Sequence, residues 1–240
     1  MSCHISSITL ESERYPTKDH YPFSLPLFTK TQKLDFPTPL TMFVGENGSG
    51  KSTLLEAIAV AAGIHIWRTG SNSRYEVNQY EALLHRYLRL EWVNGKVPGS
   101  FFGAQIFKDF ASILDDWAST DPAQLNYFGG KSLITQSHGQ SLMSFFRNRY
   151  KIKGLYLLDE PETALSPSSQ IELLQLLSKY TKAGHAQFIV ATHSPILLAS
   201  NEATIYSFDK MPVCPVKYEE TEHFRIYHDF LNHREKYLIS

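Results

Sequence analysis

The octapeptide "GENGSGKS", Gly45 to Ser52, constrains this chain more than any other stretch. It fits G-x-x-x-x-G-K-[ST] at every defined position, and that pattern needs a strand before it and a helix after it. Both are legible. The preceding "LTMFV" is almost wholly apolar, and Leu54, Leu55, Ile58, Ala61 and Ala62 then recur at helical spacing up to Gly63. Gly45, Gly48 and Gly50 allow backbone conformations that a Cβ would block, so N–H groups can wrap an anion. The helix N-terminus adds a favourable field. Lys51 would reach the outer phosphates of a polyphosphate and Ser52 would hold Mg²⁺. Gly45, Glu46, Asn47, Gly48, Ser49, Gly50, Lys51, Ser52 and Thr53 are the expected lining of that site.

Two further motifs have matching placement. "GLYLLDEPE", Gly154 to Glu162, is an apolar run ending in Asp159 and Glu160. A carboxylate at a strand end can hold Mg²⁺, the role expected of Asp159. Glu160, one residue on, is placed to orient or deprotonate a water. "IVATHSP" puts His193 after another apolar run, whose neighbours in a sheet would be the two motif strands. There it can contact the terminal phosphate or the attacking water. "LTMFVG" and "GLYLLD" lack alternation, as do strands buried on both faces of a parallel sheet. "HISSITL", "YLRLEWV", "AQFIVATH" and "ATIYSFD" also read as strands. Ser166–Pro167 and Ser194–Pro195 each read as a cap followed by proline at the first helical position, and Gly184 ends the first of these helices. Strands alternating with helices indicate an α/β fold.

The remaining sequence narrows the class. The 240 residues suit one domain, 1–240, with a small helical subdomain inserted at about 106–150, where "IFKDFASILDDWAS" has helical character. The net charge of −1 removes bulk electrostatics as a reason to bind nucleic acid, and two distant cysteines make no disulfide framework. No signal peptide is legible, and "LLEAIAVAAGIHIW" is too short and too flanked by charge to span a bilayer. A cytoplasmic protein with no membrane span of its own is expected.

Together the three motifs resemble the ATP-binding-cassette (ABC) class of P-loop ATPases, which includes transporter nucleotide-binding subunits and SMC, RecF and RecN type heads. The resemblance covers most of the chain, from about "LTMFVG" to "ATIYSFD". It implies a P-loop NTPase core: a mainly parallel sheet flanked by helices, an antiparallel N-terminal β portion and an inserted helical subdomain. It assigns the Walker A loop to Gly45–Ser52, the Walker B strand to Leu155–Asp159 and the catalytic glutamate to Glu160. The D-loop falls at Glu162–Pro167, and the switch histidine at His193. It implies ATP and Mg²⁺ as ligands and Lys51, Glu160 and His193 as the catalytic groups. Gln105, after the aromatic "SFFGA", would be the Q-loop glutamine that senses the metal with Ser52 and Asp159.

The class also carries an L-S-G-G-Q signature, and "QSHGQ" occupies its place. Ser137, Gly139 and Gln140 match, whereas Gln136 and His138 depart. Ser137 and Gln140 form a capping box, and Leu142, Met143, Phe145 and Phe146 give the next helix an apolar face. In the class this turn meets the γ-phosphate held by a second protomer, so the resemblance implies an ATP-dependent head-to-tail homodimer. His138 would then either donate to that phosphate or pack at the seam. "DEPETALSP" and "THSP" look more like the SMC, RecF and overcoming-lysogenization group of predicted AAA-family ATPases than transporter subunits. The 32 residues from Gln105 to Ser137 leave no room for an SMC coiled coil. An effector protein or nucleic acid is the implied further partner, and the alternative is a transporter's nucleotide-binding subunit.

Other features left alternatives open. Arg147, Arg149, Lys151 and Lys153 could touch nucleic-acid phosphates or simply decorate a helix end. His223, His228 and His233 are five apart, whereas metal-binding histidines on helices prefer three or four. Tyr15, Tyr21 and Phe23 could stack on a base or pack against the first strands.

Overall fold

Apolar runs without alternation make a sheet covered on both faces, and that is what the computed structural model contains. It describes residues 3–67, 78–103, 107–121, 123, 125, 126, 130, 132 and 138–238. In chain order the elements are β1 (Ile5–Leu10), α1 (Pro26–Lys30), β2 (Lys33–Asp35), β3 (Leu40–Val44), α2 (Lys51–Ala62), β4 (Leu88–Trp92), β5 (Gly99–Gly103) and α3 (Phe107–Thr120). After these come α4 (His138–Arg149), β6 (Gly154–Asp159), α5 (Pro167–Lys182), β7 (Ala186–Ala191), α6 (Pro195–Leu198), β8 (Thr204–Ser207), β9 (Cys214–Val216) and α7 (Glu222–Asn232).

The central sheet has the order β5-β6-β7-β3-β8-β9. All its pairs are parallel except β8–β9. Alternate residues feed two cores. Met42, Tyr156, Leu158, Phe188 and Val190 face α3, α4 and α5, while Phe43, Leu155, Leu157, Ile189 and Ala191 face α2 and the N-terminal strands. A second, antiparallel sheet, β2-β1-β4, covers that second side. Every strand expected from the sequence is present. The short β2 and β9 are present but were not expected, because three residues such as "KLD" or "CPV" carry no periodicity.

One side chain joins the two sheets. Gln187, fully buried in β7, accepts from the backbone N–H of His4 (2.6 Å) and of Ile5 (2.9 Å) and donates to the Ile5 carbonyl (3.0 Å). These bonds satisfy buried backbone groups where β1 starts, so the antiparallel sheet is fixed in register over the parallel one.

The helices start as their sequences require. Ser166 Oγ accepts from Ser169 N–H and Ser194 Oγ from Ile196 and Leu197 N–H, each with proline at the first turn. Helices α3 and α4 pack through rings: Phe107, Phe110 and Phe145 lie within 5.6–6.3 Å of one another, and Phe102 of β5 joins them. Among the described residues, no helix is long and apolar enough to cross a membrane.

Candidate functional site

The parallel order places β6, β7 and β3 side by side, so their C-terminal ends open on one edge of the sheet. Ligands of open α/β sheets bind outside these ends. The three motifs emerge there: the glycine-rich turn after β3, Asp159 and Glu160 at the end of β6, His193 after β7. β7 lies between the two motif strands, as the sequence implied.

The glycine-rich turn is shaped by close packing as well as by dihedral freedom. Gly50 has φ +96°, and a Cβ there would stand 2.2 Å from Leu27 Cδ2; at Gly45 it would stand 2.9 Å from Phe208 Cβ. Lys51 is buried, and its ammonium donates to the Gly45 (2.7 Å) and Glu46 (2.8 Å) carbonyls. Burial pulls its pKa down, against the opposing pull of Glu160, Asp209 and Asp159. Glu46 N–H is tied to Asp209 Oδ1 at 2.8 Å. Asp209, beyond β8, therefore pins the turn; a lone aspartate in "SFDK" gave no sequence signal for this. Asn47 and Gly48 are exposed at the tip, and Ser49 is half-buried. Thr53 Oγ1 meets Tyr21 Oη at 2.6 Å. Tyr21 is exposed, whereas Tyr15 and Phe23 pack on each other (4.6 Å) and on Tyr87.

Ser52 Oγ donates to Asp159 Oδ1 at 2.9 Å, bringing together the two oxygens expected to hold Mg²⁺. Burial pushes the Asp159 carboxyl up to about 6, with Glu160 adding to the rise and the Ser52 hydroxyl opposing it. A carboxylate and a hydroxyl oxygen set side by side in a largely buried place suit a divalent cation. Glu160 has φ 46° and ψ 54°, the left-handed region, which few side-chain-bearing residues enter. Its N–H donates to the Ala191 carbonyl (2.9 Å), which holds the bend where the chain leaves the sheet.

His193 Nε2 lies 3.6 Å from Glu160 Oε1. Its backbone N–H donates to Glu162 Oε1 at 2.6 Å, and its Nδ1 is 2.9 Å from Nε2 of His223. Burial holds the His193 pKa below its usual value, with Lys51 and His223 adding to the effect. Glu162 is pushed up by burial. Glu162 and His223 were missed as neighbours of this histidine. The first lay within the D-loop stretch, and the second comes from α7, thirty residues on.

Gln105 and Ser137 lie outside the described residues, as does Gln136. His138 opens α4, and Gly139 and Gln140 follow in its first turn. A Cβ on Gly139 would lie 3.5 Å from the Ala164 carbonyl, so the start of α4 abuts the turn after Glu160. Among the described residues, no hydrogen bond joins Gly139 or Gln140 to the glycine-rich turn. The basic cluster has local partners: Arg147 pairs with Glu172, Arg149 donates to the Gly99 carbonyl, and Lys151 donates to Asn148. His228 stacks on Phe224 and His233 bonds Asp229, so the three spaced histidines face different partners.

Comparison with known proteins agrees with this architecture. The family "AAA domain" matches residues 24–94, and "AAA domain, putative AbiEii toxin, Type IV TA system" matches 142–199. The ferric enterobactin transport ATP-binding protein FepC of Escherichia coli (strain K12) is 26% identical over 175 residues, 65% of this chain. The chain spans 64% of that relative's length. Among solved structures, an SMC head bound to the C-terminal winged-helix domain of ScpA superimposes with TM-score 0.53 at 14% identity, covering 90% of this chain and 99% of the other. The cbiO1 protein of Clostridium perfringens, part of the ABC transporter complex cbiONQ, gives 0.50 at 17%, covering 97% of each. The two AAA-domain matches between them take in the sheet's motif strands, and the chain shares the fold of the ABC-transporter and SMC-head structures.

Proposed function

We propose that this protein binds Mg-ATP, dimerises head-to-tail around it and hydrolyses it to drive a conformational change in a partner. The observation that carries the reading is the convergence of Lys51, Ser52, Asp159, Glu160 and His193 at the ends of three adjacent parallel strands. The glycine-rich turn cradles the phosphates. Lys51 leaves the Gly45 and Glu46 carbonyls to meet charge developing on the transferred phosphoryl group. Ser52 and Asp159 would hold Mg²⁺, which when bound supplies charge neutralisation at the phosphates. Glu160 accepts a proton from the attacking water, and His193 donates to the γ-phosphate. Ser137, His138, Gly139 and Gln140 act on the partner protomer's nucleotide, and Gln105 reports the metal's occupancy. Phosphoryl transfer of this kind is positioning plus electrostatics and needs no nucleophilic side chain.

Glu160→Gln keeps the shape and removes the base. It should trap an ATP-bound dimer that elutes as a dimer in size-exclusion chromatography at saturating ATP. A strictly monomeric variant under those conditions refutes the dimer cycle.

The work done by the cycle is read as nucleic-acid-linked, of repair or anti-phage type, on the strength of "DEPETALSP" and "THSP". The similarity to FepC favours a second reading, a transporter's nucleotide-binding subunit. ATPase activity stimulated by DNA or RNA supports the first. A membrane protein retained by Glu160→Gln plus ATP in a pull-down supports the second.

A further inference from the structure

His193 meets a second ring, His223, that the reaction outlined above does not use. Their nitrogens Nδ1 and Nε2 are 2.9 Å apart, and the ring centroids are 5.0 Å apart at 48°. The two outer nitrogens, His193 Nε2 and His223 Nδ1, are buried and have no hydrogen-bond partner. One of the two inner nitrogens must donate and the other accept, so the pair has two neutral arrangements.

If His193 Nδ1–H donates, His223 carries its proton on Nδ1. That leaves a buried N–H unpaired and turns the His193 Nε2 lone pair toward Glu160 Oε1, 3.6 Å away. If His223 Nε2–H donates, His193 carries its proton on Nε2, facing the carboxylate. Either way one outer N–H and one outer lone pair lack a hydrogen bond, but here the N–H is the group beside the Glu160 carboxylate, whose charge attracts an N–H and repels a lone pair. The second arrangement is therefore favoured.

We propose that His223 is a positioning residue, donating Nε2–H to His193 Nδ1 and so fixing His193 as the Nε2–H tautomer that points at Glu160 and the γ-phosphate of bound ATP. This rests on the ATPase reading for its consequence, though the ring contact does not. A histidine whose far nitrogen is occupied has its near nitrogen's role set, the principle by which ligand histidines are oriented. Both rings being neutral agrees with burial lowering the pKa of each. Asp209, Lys51, Glu46 and Glu222 also act on His223 through space. Helix α7 delivers the ring. Thr221 Oγ1 caps it by accepting from Phe224 N–H, and Tyr218 Oη donates to the Pro195 carbonyl at the start of α6. The C-terminal helix is thus registered against the residue that follows β7, and its seating sets the proton of the switch histidine.

The test is nitrogen NMR of ¹⁵N-histidine-labelled, nucleotide-free protein at about pH 8, above the ordinary histidine range, with steady-state ATPase kinetics alongside. Wild-type His193 should be protonated on Nε2 and bare on Nδ1. His223→Phe, which keeps ring bulk, should release that preference and lower kcat about tenfold with KM for ATP little changed, the effect of one misplaced hydrogen bond. His223→Gln, whose amide can donate from the Nε2 position, should keep the tautomer and restore kcat to within about threefold of wild type. A wild-type His193 protonated on Nδ1 overturns the proposal. So does a His223→Phe protein whose His193 signals and kcat match wild type. If the Phe variant does not fold, the wild-type and Gln spectra still decide. The predicted tautomer in a protein that hydrolyses no ATP would sink the ATPase reading alone, since the ring contact would stand.

Discussion

Replacing Gln187 by Met tests how the two sheets are joined. Met has similar length and is apolar, so the perturbation removes three hydrogen bonds while filling nearly the same space. The His4 and Ile5 N–H groups and the Ile5 carbonyl lose their partner, and all sit in buried surroundings. Each stranded buried group costs about 1–3 kcal/mol, so three cost about 3–5 kcal/mol after partial relaxation. Burying the thioether returns about 1 kcal/mol. The net expectation is a loss of about 2–4 kcal/mol, or roughly 5–15 °C in Tm for a chain of this size. The loss should reach the site, because the same buried cluster holds Phe23, Leu27 and Phe28, and Leu27 packs on the Gly50 backbone. Calorimetry or urea unfolding gives the global value. Amide exchange at His4 and Ile5 gives the local one, and both amides should lose protection. A variant within about 1 kcal/mol of wild type, with those amides still protected, would refute the reasoning.

Other expectations are equally direct. Asp159, held near pH 6 by burial, binds its proton more tightly folded than unfolded, so its contribution destabilises as pH rises from about 4 to 6 and is constant above. Asp159→Asn should therefore stabilise the nucleotide-free protein by about 2–3 kcal/mol at pH 8 and by almost nothing below pH 4, in EDTA melts; a difference independent of pH would contradict this. Glu160→Gly removes the cost of a left-handed glutamate and should raise stability by about 1 kcal/mol in urea titration, with ATPase activity lost. Gly50→Ala would force a Cβ to 2.2 Å from Leu27 Cδ2 at a φ of +96°, and should lower stability by at least about 2 kcal/mol and weaken nucleotide binding in calorimetric titration.

The sequence on its own determined what local chemistry can specify. "LTMFVG" and "GLYLLD" had to be strands covered on both faces, because apolar residues run through both without alternation and neither face can meet water cheaply. "GENGSGKS" had to be a turn opening a helix, and Ser166 and Ser194 had to cap the helices they precede. Asp159, Glu160 and His193 were visible because a polar group ending an apolar strand stands out from its neighbours.

Only the tertiary structure decided the contacts between distant segments. The place of β7 between β6 and β3 was legible from the motifs, but the direct bond from Ser52 to Asp159 across 107 residues was not. Gln187 reads in sequence as one polar interruption in an apolar run; its partners lie 182 and 183 residues away. Asp209 and His223 had no motif around them, yet one pins the glycine-rich turn and the other meets His193. The physical reason is the same in each case. A propensity or a cap is an interaction within a few residues, whereas a hydrogen bond across the core depends on where the packed sheets and helices finally bring two chain positions within 3 Å of each other.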